Sequence, residues 1–158
     1  HTGRLFNHNI HNARVLDKLI FRNISLQVLD GVICHNGEME QQCYTPKTFN
    51  ADDPWGEFDR SVEDCYTDPS ANKKQIPGTL EGCIMRISDI IAYLGKDRQD
   101  AIKIGLISND DSFSAGSLGS SNAQIIHNMT VNIIENSYGK PYISMDPDVY
   151  ETFSKAKT

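Results

Sequence analysis

Apolar residues recur along most of this chain at intervals of three and four, and the strict alternation typical of strands is almost absent. That spacing predicts amphipathic helices and an all-α fold. The first helix is predicted over 10–20. The second begins after Ser25, a favourable N-cap residue, and ends at His35, before Asn36 and Gly37. A short link predicts an antiparallel hairpin. The residues predicted to face inward are Ile10, Ala13, Val15, Leu16, Leu19, Ile20, Leu26, Val28, Leu29, Val32 and Ile33.

Residues 38–78 interrupt the helical pattern. They hold four prolines, and the run 52–68 carries seven acidic residues against the single Arg60. A connection this long inside a compact domain is typically a lid or a binding loop, so a long acidic loop or lid is expected, with a short helix around 58–65. The alternative is an acidic surface loop that is solvated and has no function. With 158 residues the chain can form one sizeable core, which predicts a single all-helical domain over 1–158.

The most regular helical pattern begins near Thr79 and runs at least to Leu94, with a continuation past Gly95 to Ile107. Its predicted buried stripe consists of Leu80, Ile84, Ile87, Ile91 and Leu94. The composition of residues 109–121 predicts a loop. Residues 123–135 predict a further helix, and Asp146-Pro147 predicts the start of a last one that reaches Phe153.

Asp89 falls on the side of this central helix that is opposite to the predicted stripe. Tyr93 and Asp97 follow it at intervals of four, so the three side chains form a column along one face if the helix continues past Gly95. Arg86, three residues before Asp89, adjoins the column. Periodicity alone favours a solvated polar face with a surface pair between Arg86 and Asp89 over a functional site.

Charge excludes some classes of partner. The chain has 15 Lys and Arg against 21 Asp and Glu, a net charge of −6, so no basic face for nucleic acid or an anionic membrane is expected. No segment predicts a membrane helix or a signal peptide, which favours a soluble, cytoplasmic protein. Because residue 1 is His, the chain is expected to be a piece of something longer. The spacing of Cys34, Cys43, Cys65 and Cys83 fits no zinc pattern and predicts reduced thiols.

Two of the five histidines have a suggestive spacing. His8 and His11 lie three residues apart, so both could face one ligand if the first helix starts by residue 8. Without a third ligand in register this is a weak signal for a metal site, and exposed or hydrogen-bonded histidines are commoner.

Three segments resemble, in order, the HD-superfamily deoxynucleoside triphosphate triphosphohydrolases, which are the dGTPase-like enzymes. They are residues 6–16 (FNHNIHNARVL), 26–38 (LQVLDGVICHNGE) and 79–102 (TLEGCIMRISDIIAYLGKDRQDAI). Three blocks in the family's order are far harder to obtain by chance than one short pattern. The resemblance implies a helical HD-domain-like bundle and a metal-dependent hydrolase that converts a deoxynucleoside triphosphate to deoxynucleoside and inorganic triphosphate.

The resemblance also implies roles for four residues. Asp89 resembles the last aspartate of the family's metal-ligand set, and the implied cofactor is a divalent metal ion. Tyr93 and Asp97 resemble residues that pack against and hydrogen-bond the deoxyribose. His8 resembles the histidine that approaches the phosphates. The implied partner is a deoxynucleoside triphosphate. Whether the protein assembles into a homo-oligomer is left open.

The chain departs from the family pattern in two ways. It contains no His-Asp dipeptide, and the family places that pair and an earlier His ligand upstream of the block that contains His8. We therefore expect a C-terminal part of such an enzyme, which lacks three of four metal ligands and is inactive alone. His11 stands where relatives usually have Gln.

Two alternatives remain open at this point. The chain could be a non-catalytic helical module that binds nucleotide or regulates a partner, or part of an HD phosphodiesterase that acts on another phosphate ester.

Overall fold

A computed structural model describes residues 3–20, 23–36, 41–106, 118–119 and 121–157. Within these ranges it does not describe the side chains of residues 94, 95, 97–99, 156 and 157. Most of the loop predicted over 109–121, and the predicted helix end at Ile107, lie outside the described residues.

Helices dominate the described part of the chain, which confirms the all-α prediction. Its strands are limited to one antiparallel pair of two residues each, with Cys43 opposite Ser144 and Tyr44 opposite Ile143. No helix among the described residues has the length and apolar character needed to cross a membrane. The elements are α1 (His8–Arg14) with its π-helical continuation (Val15–Leu19), α2 (Leu26–Cys34), β1 (Cys43–Tyr44), α3 (Pro54–Thr67), α4 (Ala71–Lys74), α5 (Leu80–Lys103), α6 (Asn122–Ser137), β2 (Ile143–Ser144) and α7 (Pro147–Lys157).

The chain folds into two compact units. The first unit contains the described residues of His1–Glu38 and Thr45–Ile87, and the second contains those of Met39–Tyr44 and Ser88–Thr158. Each unit has its own buried residues and is described by itself below.

The core of the first unit lies between α1, α2 and α3. The Ser25 hydroxyl accepts a hydrogen bond from the Val28 amide at 3.4 Å, so the predicted N-cap is confirmed. Val28 itself was predicted to face inward and is exposed, as are Leu19 and Ile20. The stripe that α2 buries runs through positions 26, 29, 30 and 33, which leaves Val28 on the other side of the helix. The buried core residues are Ile10, Ala13, Leu26, Leu29, Ile33, Cys34, Phe58 and Cys65.

The segment 38–78, predicted as a long acidic loop or lid with a short helix, instead contains the 14-residue helix α3. Asp53 caps this helix by accepting a hydrogen bond from the Gly56 amide at 3.0 Å, and Pro54 occupies its first turn. Proline at the first helical position starts a helix because its missing amide hydrogen has no intrahelical partner there. Phe58 and Cys65 anchor α3 in the core.

A buried carboxylate ties two loops of the first unit to α2. Asp30 is fully buried, and its two oxygens lie 3.1 Å from the Lys47 ammonium and 2.7 Å from the Gly78 amide. A buried carboxylate is tolerated only when such partners replace water. Asp30 therefore fixes the chain before α3 and the chain before α5 against the same helix.

Arg86 joins the start of α5 to the rest of the first unit. Its guanidinium donates to the carbonyl oxygens of Cys34 at 3.1 Å, Gln75 at 2.6 Å and Lys73 at 3.0 Å. Only 2% of Arg86 is exposed, so the prediction that places it on a solvated face is wrong. The buried stripe of α5 is rotated towards Cys83 and Arg86, and Ile84, predicted to be buried, is about half exposed.

The second unit packs α6, α7 and the strand pair together. Ser121 and Gln124 form a reciprocal capping box at the start of α6, and Pro147 starts α7, close to the predicted positions. The Ser137 hydroxyl accepts from the Ser144 amide at 2.9 Å, which links the end of α6 to β2. The unit's buried hydrophobic residues are Tyr44, Ile90, Ile91, Leu118, Ile125, Met129, Ile143, Met145, Val149 and Phe153.

Replacing Arg86 tests the importance of its carbonyl contacts. We expect Arg86→Met, which keeps much of the side-chain volume, to lower the free energy of unfolding by about 3 kcal/mol because three carbonyls lose a charged donor. Urea unfolding followed by circular dichroism measures this. Arg60→Met, at an exposed ion pair with Asp53, is the matched control and should change stability by less than about 0.5 kcal/mol. A loss below about 1 kcal/mol for Arg86→Met would contradict the expectation.

The four cysteines are free thiols in the structure, and they differ in environment. Burial raises the pKa of the Cys34 and Cys65 thiols, so each holds its proton more tightly at a given pH. Cys83 is buried as well, whereas Cys43 is exposed. We expect iodoacetamide at pH 8 to modify Cys43 alone in the folded chain and all four thiols in urea, as measured by intact mass. Cys43→Ser should abolish labelling of the folded chain; labelling of a second thiol at a similar rate refutes this.

Candidate functional site

The backbone around His8 is held by the two asparagines that flank it. The Asn7 amide donates to the Cys65 carbonyl at 2.7 Å, at the C-terminal end of α3. The buried Asn9 amide donates to the Ile33 carbonyl in α2 and, at 2.6 Å, to the side-chain oxygen of Asn72 in α4. Three neighbouring helices therefore fix the position of His8, while its own side chain stays exposed at the first residue of α1.

The His8 ring packs against a second histidine. The centroids of the His8 and His35 rings are 5.3 Å apart, and the ring planes meet at 70°. His35 is half-buried at the C-cap of α2, and its Nδ1 lies 2.6 Å from the Val32 carbonyl oxygen. Since a carbonyl can only accept, Nδ1 carries the hydrogen in this contact. The arrangement is an edge-to-face aromatic pair with one ring locked to the backbone.

A groove of about 720 Å³ lies beside this pair, within the first unit. That volume falls in the range of small-molecule sites, roughly 300–1,000 Å³. Most of its surface is apolar, with a few polar groups in the lining, as binding sites for small molecules commonly have. Its lining includes His35, Asn12, Gln27, Glu81, Val28 and Met85.

Two glycines line the groove where α2 and α5 approach each other. A Cβ added to Gly31 would lie 3.9 Å from the Cα of Gly82. A Cβ added to Gly82 would lie only 2.6 Å from the Cβ of Pro77, which is closer than real carbon atoms approach. Position 82 thus requires glycine for packing reasons.

Asp89 and Tyr93 lie four residues apart on α5, so they share one face of that helix, as predicted. Asp89 is half-buried and makes no hydrogen bond or ion pair with another described residue. Tyr93 is 56% exposed. A half-buried carboxylate without a protein partner is available to a ligand. Asp97 falls within α5, but its side chain lies outside the described part of the chain.

The predicted site residues divide between the two units. His8 belongs to the first unit, and Asp89, Tyr93 and Asp97 belong to the second. Their association in one site therefore stays a prediction. His11, the other histidine of the weak metal pair, packs on Phe6 with a centroid distance of 5.7 Å.

Sequence analysis missed the residues that hold His8. His35 received no role, although it lies within a segment that resembles the family. Asn7 and Asn9 gave a usable signal, because asparagines at and next to a helix N-terminus often bond to backbone groups. Their partners on α2, α3 and α4 are 24 to 63 residues away, and no local pattern identifies them.

The described residues do not by themselves fit a metal ion. No three His, Cys, Asp or Glu side chains gather closely enough for one in the part of the chain that the structure describes. A catalytic metal is usually held by three protein ligands, and Asp89 supplies one carboxylate.

Comparison with known proteins gives a consistent family resemblance. A deoxyguanosinetriphosphate triphosphohydrolase-like protein of Caldanaerobacter subterraneus subsp. tengcongensis is 39% identical over 77 residues, which cover 48% of this chain and 23% of that protein. A protein with the same description from Clostridium perfringens strain 13 is 24% identical over 159 residues, which cover 94% of the chain and 37% of that protein. One from Clostridium tetani is 30% identical over 112 residues, which cover 67% of the chain and 23% of that protein.

These similarities confirm the resemblance to dGTPase-like proteins that the three sequence blocks indicated. The chain spans less than two fifths of the length of these relatives, 23% and 37% of the first two. No family model matches the chain. No solved structure matches it either.

Proposed function

We propose that this chain forms the deoxynucleotide-facing part of a deoxynucleoside triphosphate triphosphohydrolase, and that the whole protein releases deoxynucleoside and inorganic triphosphate. The observation that carries the proposal is Asp89: a half-buried carboxylate without a protein partner among the described residues, on one face of α5 with Tyr93. It lies in the sequence block that resembles the dGTPase-like enzymes. The similarity to deoxyguanosinetriphosphate triphosphohydrolase-like proteins supports the reaction class.

His8 is the residue that we assign to the phosphates. Its backbone is fixed through Asn7 and Asn9, and its ring is exposed, so an imidazole N–H can reach a bound ligand without first ordering the chain. A fixed donor is worth more than a mobile one because the entropy of ordering is already lost during folding. In the whole protein this imidazole acts as an acid or as an electrostatic partner of the α-phosphate.

Tyr93 and Asp97 are the residues that we assign to the sugar. A tyrosine ring can pack on the deoxyribose, and a carboxylate can accept a hydrogen bond from the 3′-hydroxyl. Both follow Asp89 along α5 at intervals of four, which suits contacts to one ligand.

The cofactor in this proposal is a divalent metal ion, for which Asp89 is one ligand. Such an ion lowers the pKa of bound water and offsets phosphate charge when it is present. The other ligands are not supplied by the described residues, so we assign no hydrolytic step to this chain alone.

A non-catalytic nucleotide-binding or regulatory module is the second candidate. The mostly apolar groove beside His8 and His35 favours it, because such a groove can bind a ligand without a metal ion. The sequence encoded directly before His1 distinguishes the two: a His followed by a His-Asp pair supports the hydrolase, and a start codon there supports the module.

We expect the purified 158-residue chain to release neither deoxynucleoside nor triphosphate from any dNTP, with Mg²⁺, Mn²⁺ or Co²⁺ present, because one carboxylate cannot hold a catalytic metal. Anion-exchange chromatography of the products measures this. Turnover that disappears in Asp89→Ala and persists in Asp100→Ala would refute the expectation that the metal-ligand set of the chain is incomplete. Asp100 serves as the control because it is an exposed carboxylate of the same helix. A panel with rNTPs and cyclic nucleotides detects a phosphodiesterase instead.

The sugar contacts can be tested by binding without turnover. We expect Asp97→Ala to weaken dGTP binding to the chain about tenfold, the effect of losing one hydrogen bond to a charged group. Binding of 2′,3′-dideoxy-GTP, which lacks the 3′-hydroxyl, should not change. Isothermal titration calorimetry measures both affinities, and Asp100→Ala is the matched control. Equal losses for both nucleotides would remove Asp97 from the sugar site.

A further inference from the structure

His35 has a place in the structure that the proposed function does not use. It closes α2, lines the groove, and contacts the ring of the residue assigned to the phosphates. We propose that His35 is a positioning residue that holds the His8 imidazole in one orientation beside the groove. The consequence for phosphate binding rests on the proposed function of His8.

The first step of the argument concerns the His35 ring itself. An Nδ1–H hydrogen bond of 2.6 Å to the Val32 carbonyl, three residues earlier in α2, restricts the side-chain torsions of His35. The ring is half-buried as well, so it has little freedom to turn. His35 therefore presents a fixed surface.

The second step concerns His8. This side chain makes no hydrogen bond with another described residue and is exposed, so its backbone anchors alone would leave the imidazole free to change rotamer. The contact with His35, at 5.3 Å between ring centroids and 70° between planes, is the interaction that selects one rotamer. His35 therefore restricts the orientation of the His8 ring by packing against it and not by a hydrogen bond.

The third step separates positioning from a direct role in binding. If His35 acts through its ring surface, phenylalanine can largely replace it, because a half-buried aromatic ring in the same place offers similar packing although the hydrogen bond to Val32 is lost. If His35 contacts phosphate itself, phenylalanine fails as badly as alanine, since it carries no N–H donor.

The experiment uses the full 158-residue chain with labelled histidines. Imidazole ¹H–¹³C spectra and a nuclear Overhauser effect between the His8 and His35 rings report orientation. Titration with sodium tripolyphosphate reports anion binding through the His8 signals. We expect the Overhauser effect in the wild type, motional averaging of the His8 ring in His35→Ala, and restored order in His35→Phe. Affinity for tripolyphosphate should fall about tenfold in His35→Ala and return to within about threefold of wild type in His35→Phe.

The controls and the contrary outcomes distinguish the positioning role of His35 from the proposed function of His8. His11→Ala, which removes another exposed ring of the same helix, should leave the His8 signals and the affinity unchanged. Core methyl signals of Ile10 and Ile33 verify that each variant is folded. An averaged His8 ring in the wild type, or a His35→Phe variant as impaired as His35→Ala, overturns the positioning role. An ordered His8 whose signals ignore tripolyphosphate counts against the proposed function and leaves the positioning role supported.

Discussion

The buried guanidinium of Arg86 is the interaction on which the first unit most depends. It reaches three carbonyls at the ends of α2 and α4, which are the places where helices leave backbone acceptors without partners. One side chain thereby satisfies several buried acceptors and holds the start of α5 against two other helices. The buried Asp30 carboxylate has the corresponding role for donors, because it binds the Lys47 ammonium and the Gly78 amide. Together they fix the helices that line the groove.

The same principle operates around His8 with uncharged groups. Asn7 and Asn9 use their amides to reach backbone and side-chain oxygens of three other helices, so the residue between them is held although its own side chain makes no hydrogen bond with another described residue. Rigid support for a side chain whose polar atoms stay exposed is the arrangement that binding sites require, because ordering is completed during folding. A polar residue on each side of an exposed histidine is therefore informative in a way that the histidine alone is not.

Much of the fold could be predicted from the sequence, because caps and periodicity are local. Ser25 and Pro147 mark helix starts that the structure contains, and the shared face of Asp89 and Tyr93 follows from helix geometry alone. The failures have a common physical cause. Asp30 and Arg86 occupy positions on buried stripes, yet neither was predicted to be buried, because the partners that make burial of a charge possible are distant in sequence. Position 30 carried a usable signal, since it lies four residues after Leu26 and three before Ile33.

Charge distinguishes phosphate binding from sugar binding in the proposed function. A nucleoside triphosphate carries about four negative charges at neutral pH, and the chain carries a net charge of −6, so their long-range interaction is repulsive. A single imidazole offsets only part of that repulsion, and a divalent cation can offset more of it locally. The divalent metal ion that we propose for the whole protein would therefore suit a phosphate ligand on grounds of charge. Deoxyribose carries no charge, so the contacts proposed for Tyr93 and Asp97 would need no cation.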